Sequence, residues 1–276
     1  MKPSKRTPVV IFTNQKGGVG KTTLTRELGI ALAVRGYSVL LIDSDPQGNL
    51  SKSLLEPERS ENLTRGLYEA LEGGSLAIER VRPDLSLLPG DTRLTALEKR
   101  YLGEVDAYEK LSTIIASLSS FEYDLILIDS PPSLSVMTLN GLAAASHFVI
   151  PLRPALYSLQ GTNDLLSSVA KVKKSLNPEL ELLGVVLNDY LSGPIISRQI
   201  KGEIDEGFGE KVFTTVVSRT VKVEEVIALR RGLVEEKTKA SEEILVLASE
   251  FIERLGLGVK EPTAPEPAVI TPRARP

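Results

Sequence analysis

Cysteine is missing altogether from this 276-residue chain. Its absence removes disulfides, thiolate zinc sites, cysteine nucleophiles and cysteine-ligated iron–sulfur clusters together. Long apolar runs are missing too, since none approaches the roughly 20 residues needed to span a bilayer. The N-terminal Met1-Lys2-Pro3-Ser4-Lys5-Arg6 is charged but precedes only a short apolar strand, which makes a poor signal peptide. A soluble, cytoplasmic protein is expected. Nor is there an excess of one charge: 33 Lys and Arg against 36 Asp and Glu leave a net −3. Any nucleic-acid binding must therefore come from a local basic face. Histidine occurs once, at His147, which opens an apolar strand and is expected to be structural.

What is present centres on Lys16-Gly17-Gly18-Val19-Gly20-Lys21-Thr22-Thr23, directly after the apolar run Val9-Val10-Ile11-Phe12. A strand running through a glycine loop into a helix points several backbone N–H groups at one spot, where the helix dipole also favours negative charge. That is a phosphate site. Gly17, Gly18 and Gly20 let the backbone approach, Lys21 can reach the outer phosphates, and the Thr22 hydroxyl can ligate Mg²⁺. The strict P-loop pattern requires a glycine separated by four residues from the Gly-Lys pair, but Gln15 stands there with an additional lysine, Lys16, beside it.

Leu24, Leu28, Ala31 and Leu32 then recur at helical spacing, and Gly36 stops the helix before Val39-Leu40-Leu41-Ile42. A βαβ unit with a continuous apolar strand predicts a parallel sheet buried on both faces. Asp43-Ser44-Asp45-Pro46-Gln47-Gly48-Asn49 follows at that strand's C-terminal end, where open α/β sheets bind ligands. Two carboxylates beside a triphosphate suit a metal or water role. Leu125-Ile126-Leu127-Ile128 ends at Asp129-Ser130-Pro131-Pro132-Ser133, the Walker B arrangement in which the carboxylate helps hold Mg²⁺.

Helices are predicted over 94–102, 108–118, 137–145, 158–176, 197–208 and 239–255, and strands over 85–88, 147–152, 182–187 and 212–217. Residues 51–121 are otherwise irregular. A single domain spans 1–258, because the motifs of one nucleotide site are spread across it. Residues 259–276 form a tail rich in proline that is expected to be disordered.

The deviant loop with its second lysine, the DPQGN segment and the Asp-x-Pro-Pro-Ser segment together resemble the ParA/MinD superfamily of ATPases, over about residues 8–257. The resemblance implies a P-loop NTPase of α/β class, with a mainly parallel twisted sheet and helices on both faces. It implies ATP and Mg²⁺ as cofactors, Lys16 crossing a homodimer interface to the partner's nucleotide, Asp45 orienting the attacking water and Asp43 supporting Mg²⁺ hydration. Asn188, at the end of a strand, is the candidate to read the adenine edge, with a strand-end turn as the alternative. Arg219 and Lys222 match the family's two basic DNA-contacting positions, and Arg198, Lys201, Arg230 and Arg231 could extend the patch. Interleaved glutamates leave a solvated mixed-charge face as the other possibility.

DPQGN and DSPPS favour a ParA-type partition ATPase that is cytoplasmic and nucleoid-associated, with non-specific double-stranded DNA and a ParB-like centromere-binding protein as partners. The end of the chain lacks the amphipathic targeting helix of MinD, so stable membrane insertion is not expected. About seven residues before the first strand are too few for an N-terminal helix-turn-helix domain, which implies the short, Soj-like type. A positioning ATPase for another cargo and a MinD-like membrane-associated regulator are the alternatives.

Overall fold

The expected βαβ unit is made by β1 (Val9–Phe12), α1 (Lys21–Val34) and β2 (Val39–Asp43). The computed structural model describes residues 7–260 apart from 102, 105, 119–122, 155–157, 192 and 194. Three short helices come next, α2 (Asn49–Leu54), α3 (Pro57–Glu61) and α4 (Leu67–Leu71). They lead to a hairpin of β3 (Glu79–Arg82) and β4 (Leu85–Leu88). Helices α5 (Leu94–Tyr101) and α6 (Lys110–Ser117) precede β5 (Leu125–Asp129). Alternation resumes with α7 (Val136–Ala144), β6 (His147–Leu152), α8 (Ser158–Ser175), β7 (Glu181–Leu187) and α9 (Ile195–Phe208). The short α10 (Lys222–Ala228) and the long α11 (Lys239–Arg254) complete the described fold.

The seven strands of the described residues form one sheet in the order β3-β4-β2-β5-β1-β6-β7, parallel except at the β3–β4 edge. Alternate side chains of each strand enter opposite layers. Ile11, Leu40, Ile42, Ile126, Ile128 and Ile150 pack in one core, whereas Val10, Phe12, Leu41, Leu127 and Val149 pack in the other. Two buried faces require the unbroken apolar runs seen in the sequence. The second layer is roofed by α1 and α11, where Phe251 stacks between Phe12 and Phe213 at centroid distances of 6.2 and 6.3 Å. Among the described residues no helix is long and apolar enough to cross a membrane.

One predicted strand does not form. Residues 212–217 run beside β7 and make isolated parallel bridges, Val185 with Val212 and Tyr190 with Ser218, but no ladder. The donors explain it: the Thr214 and Thr215 N–H groups bond the Glu250 carboxylate on α11, at 2.8 and 3.1 Å, instead of a neighbouring strand. Conversely, β3 carries no apolar signal, since its side chains are exposed or half-buried on the sheet edge. Of the expected tail, residues 261–276 lie outside the described residues, while Lys260 pairs with Asp124 at 2.6 Å.

Candidate nucleotide and metal site

The glycine loop joins the C-terminal end of β1, a central strand flanked by β5 and β6, to the N-terminus of α1. Gly18 and Gly20 have φ of 71° and 93°, a left-handed conformation that residues with a Cβ rarely adopt. Gly20 is also tightly packed, because a Cβ there would lie 1.9 Å from Asn188 Nδ2. Asn188 is buried at the end of β7, and its side-chain amide donates to the Val19 carbonyl at 3.1 Å. The structure thus puts Asn188 against the loop backbone.

The two lysines of the loop occupy different environments. Lys21 is 6% exposed, and its ammonium donates to the carbonyls of Asn14 and Lys16 at 3.1 and 3.2 Å. Burial lowers its pKa, and the negative charges of Asp129 and Asp45 oppose that shift. Lys16 is exposed, and among the described contacts its ammonium has no partner. Asn14 organises both. Its Oδ1 accepts from the Lys16 N–H at 2.9 Å and its Nδ2 donates to the Pro151 carbonyl at 2.8 Å. Nothing in the sequence singled out Asn14, because its work is done through backbone groups brought together by the sheet.

The carboxylates converge on the same end of the sheet. Asp43 and Asp129 are register partners at the ends of β2 and β5, both fully buried. The Thr22 hydroxyl donates to Asp129 Oδ2 at 2.6 Å, while Asp129 Oδ1 is buried without a hydrogen-bond partner. Burial, and secondarily the charge of Asp43, pushes the Asp129 pKa well above the usual carboxylate range. Asp43 is pushed up to about 7, first by burial, although the Ser51 hydroxyl and N–H bond its carboxylate at 2.6 and 2.8 Å. Asp45 is buried and accepts from the Gln47 N–H at 2.9 Å. An orphaned carboxylate oxygen beside a threonine hydroxyl fits a hard divalent cation. Among the described residues no three His, Cys, Asp or Glu side chains are arranged to hold an ion alone, as suits Mg²⁺, which keeps phosphate and water ligands.

A cleft of about 290 Å³ lies beside the loop, between Lys16, Gly17 and Gly18 on one side and Arg153, Pro154, Asp189 and Leu191 on the other. The predicted basic residues are extensively paired. Arg219 lies 3.6 Å from Asp189, and Lys222 bonds Glu225. Arg230 lies 3.5 Å from Glu56, Arg231 reaches Glu235 at 3.1 Å and Glu236 at 3.2 Å, and Lys201 reaches Asp205 at 2.6 Å. Arg198 on α9 is exposed, with no partner among the described contacts. His147 is half-buried at the start of β6, bonded to Ser146, at the opposite end of the strands from the glycine loop.

Residues 7–182 match a protein-family model described as an AAA domain. The chain is 37% identical over 254 residues to the chromosome partitioning protein ParA of Caulobacter vibrioides, covering 89% of this chain and 94% of that protein. It is 39% identical over 217 residues to the chromosome-partitioning ATPase Soj of Thermus thermophilus, covering 78% and 83%. Among solved structures it resembles one titled cobyrinic acid a,c-diamide synthase from Mycobacterium smegmatis with bound ATP analog and magnesium. That match has a TM-score of 0.80 and 31% identity, over 94% of this chain and all of the other.

Proposed function

This chain belongs to the ParA/Soj family of chromosome-partitioning ATPases, and on that premise we propose that it is an ATP-driven DNA partition protein acting as a homodimer. ATP and Mg²⁺ are its cofactors. The observation that carries this reading is the division between its two loop lysines, Lys21 buried on the floor and Lys16 exposed at the mouth.

The N–H groups of the loop from Gly17 to Thr23, with the α1 dipole behind them, bind the phosphate chain. Lys21 is aimed by the Asn14 and Lys16 carbonyls, so its charge needs no reorganisation when negative charge develops on the outer phosphates. Thr22 and Asp129 hold the metal, and Asp43, fixed by Ser51, supports its hydration. Held there, the metal would supply positive charge to the phosphate chain. Asp45 orients a water for attack on the γ-phosphorus, and ADP is the leaving group. Lys16 reaches the partner subunit's nucleotide and makes pairing depend on ATP. Asn188 braces the loop through its bond to the Val19 carbonyl and is the candidate to read the adenine edge.

Pairing aligns two copies of Arg219, Lys222 and Arg198 into one surface for non-specific duplex DNA. Each neutralised phosphate adds to the salt-dependent part of the affinity, so doubling the contacts raises binding by orders of magnitude. Hydrolysis, stimulated by a ParB-like centromere-binding partner, releases the dimer, which places the protein in the cytoplasm on the nucleoid.

A mobility shift with random-sequence duplex at fixed salt tests this reading. Binding with a non-hydrolysable ATP analogue, but not with ADP, without nucleotide or with Lys16→Ala, is the expected result. Equal binding in every state overturns the switch, and no binding in any state overturns DNA as the partner.

A further inference from the structure

One carboxylate stands between the nucleotide cleft and Arg219. Asp189 follows Asn188 at the end of β7 and lines the cleft wall with Arg153. Arg153 Nε lies 2.6 Å from its Oδ2, and Arg219 Nε lies 3.6 Å from its Oδ1. The backbone adds a second tie: Tyr190 N–H donates to the Val217 carbonyl and Arg219 N–H returns to the Tyr190 carbonyl, both at 3.0 Å. Asp189 has φ of 55°, a left-handed conformation in which Asp and Asn are enriched among residues other than glycine.

Stability does not account for this arrangement. The two guanidiniums are 42% and 55% exposed, and such pairs contribute little to folding. Their consequence is electrostatic. Arg219 meets a DNA phosphate only by competing against a carboxylate already beside it, and Arg153 competes with Arg219 for that same carboxylate. We propose that Asp189 is a positioning residue that holds Arg219 to the wall of the nucleotide cleft and limits its contact with DNA. The inference rests on the DNA-binding reading above.

Its signs are specific. Removing the charge of Asp189 releases Arg219 and strengthens DNA binding. Removing Arg153 leaves Asp189 wholly to Arg219 and weakens binding, but only while Asp189 is charged. Asparagine is the replacement of choice because it accepts the left-handed backbone at this position.

The test is fluorescence anisotropy of the full chain with random-sequence duplex and a non-hydrolysable ATP analogue, over a salt series. Asp189→Asn is expected to tighten binding about fivefold and to steepen the logarithmic salt dependence by about one phosphate contact. Arg219→Ala should erase that gain, so that the double variant binds like Arg219→Ala alone. Arg153→Ala should weaken binding in the parent and change nothing in the Asp189→Asn background. If Arg219→Ala weakens binding but Asp189→Asn leaves affinity and salt slope unchanged, the inference falls while the DNA contact stands. If Arg219→Ala has no effect on binding, the DNA contact itself falls and the inference falls with it.

Discussion

Asp43 and Asp129 sit side by side as register partners on β2 and β5, two fully buried carboxylates at the same end of a parallel sheet. Burial raises the proton affinity of both, Asp43 to a pKa of about 7. A carboxyl whose folded pKa lies above its unfolded value holds a proton in the native state that the unfolded chain has lost. Its contribution to stability is fully present below about pH 4 and is lost as pH rises towards 7. The nucleotide-free, metal-free protein is therefore expected to lose stability across that window through this pair. Asp129→Asn should raise the melting temperature at pH 8 relative to the parent, with a smaller difference at pH 5. Thermal unfolding at the two pH values checks it, and equal differences would refute the assignment.

The two loop lysines should separate on mutation. Lys21→Ala is expected to lower ATP turnover by about 10²–10³-fold, the range for losing one preorganised group that stabilises developing charge. Lys16→Ala leaves the floor of the site intact. It should still bind a fluorescent ATP analogue within about twofold of the parent but fail to dimerise with ATP, as read by light scattering. A Lys16→Ala chain that dimerises normally contradicts the role given to that residue.

Gly20→Ala should abolish nucleotide binding for two reasons that can be told apart. The new Cβ meets Asn188 Nδ2 at 1.9 Å, and it also demands a backbone φ of 93° from alanine. Adding Asn188→Gly removes the clash and not the strain. Because Asn188→Gly also removes the bond to the Val19 carbonyl, the double variant is compared with Asn188→Gly alone: equal analogue affinity assigns the loss to the clash, and a further loss assigns it to the backbone.

Arg26 and Glu27 form a fully buried ion pair on α1. Arg26 also donates to the Arg231 carbonyl at 2.7 Å, and Glu27 accepts the Leu233 N–H at 2.7 Å, so the pair clamps the loop-bearing helix to the 231–233 segment. Breaking such a pair from one side leaves an uncompensated buried charge, and Glu27→Gln or Arg26→Met should cost about 3–5 kcal/mol. The double Arg26→Met, Glu27→Leu chain should lose much less. Chemical denaturation of the three variants checks the ordering; additive losses would contradict it.

The fold and the placement of the candidate site were written largely in local sequence. A glycine loop after an apolar strand, an aspartate at the end of another, and unbroken apolar runs of strand length each have one physical use, so the phosphate loop, Asp43, Asp129 and the two-layered parallel sheet were legible from residues alone. The family resemblance also named Asn188 and Arg219 as candidates, but not their neighbours. Asn14 acts through the carbonyl and side chain that the sheet sets beside Lys21, and Ser51 reaches Asp43 from a different element. The 212–217 segment had strand composition, yet Glu250, 35 residues or more along the chain, took the Thr214 and Thr215 N–H groups. Asp189 carried no signal of its own in the sequence, and only the packing of β6, β7 and the 218–219 segment placed it between two arginines. Periodicity and loop chemistry are properties of neighbours in sequence. The sharing of one carboxylate or one N–H donor among distant groups is decided by which of them the folded chain brings within hydrogen-bond reach.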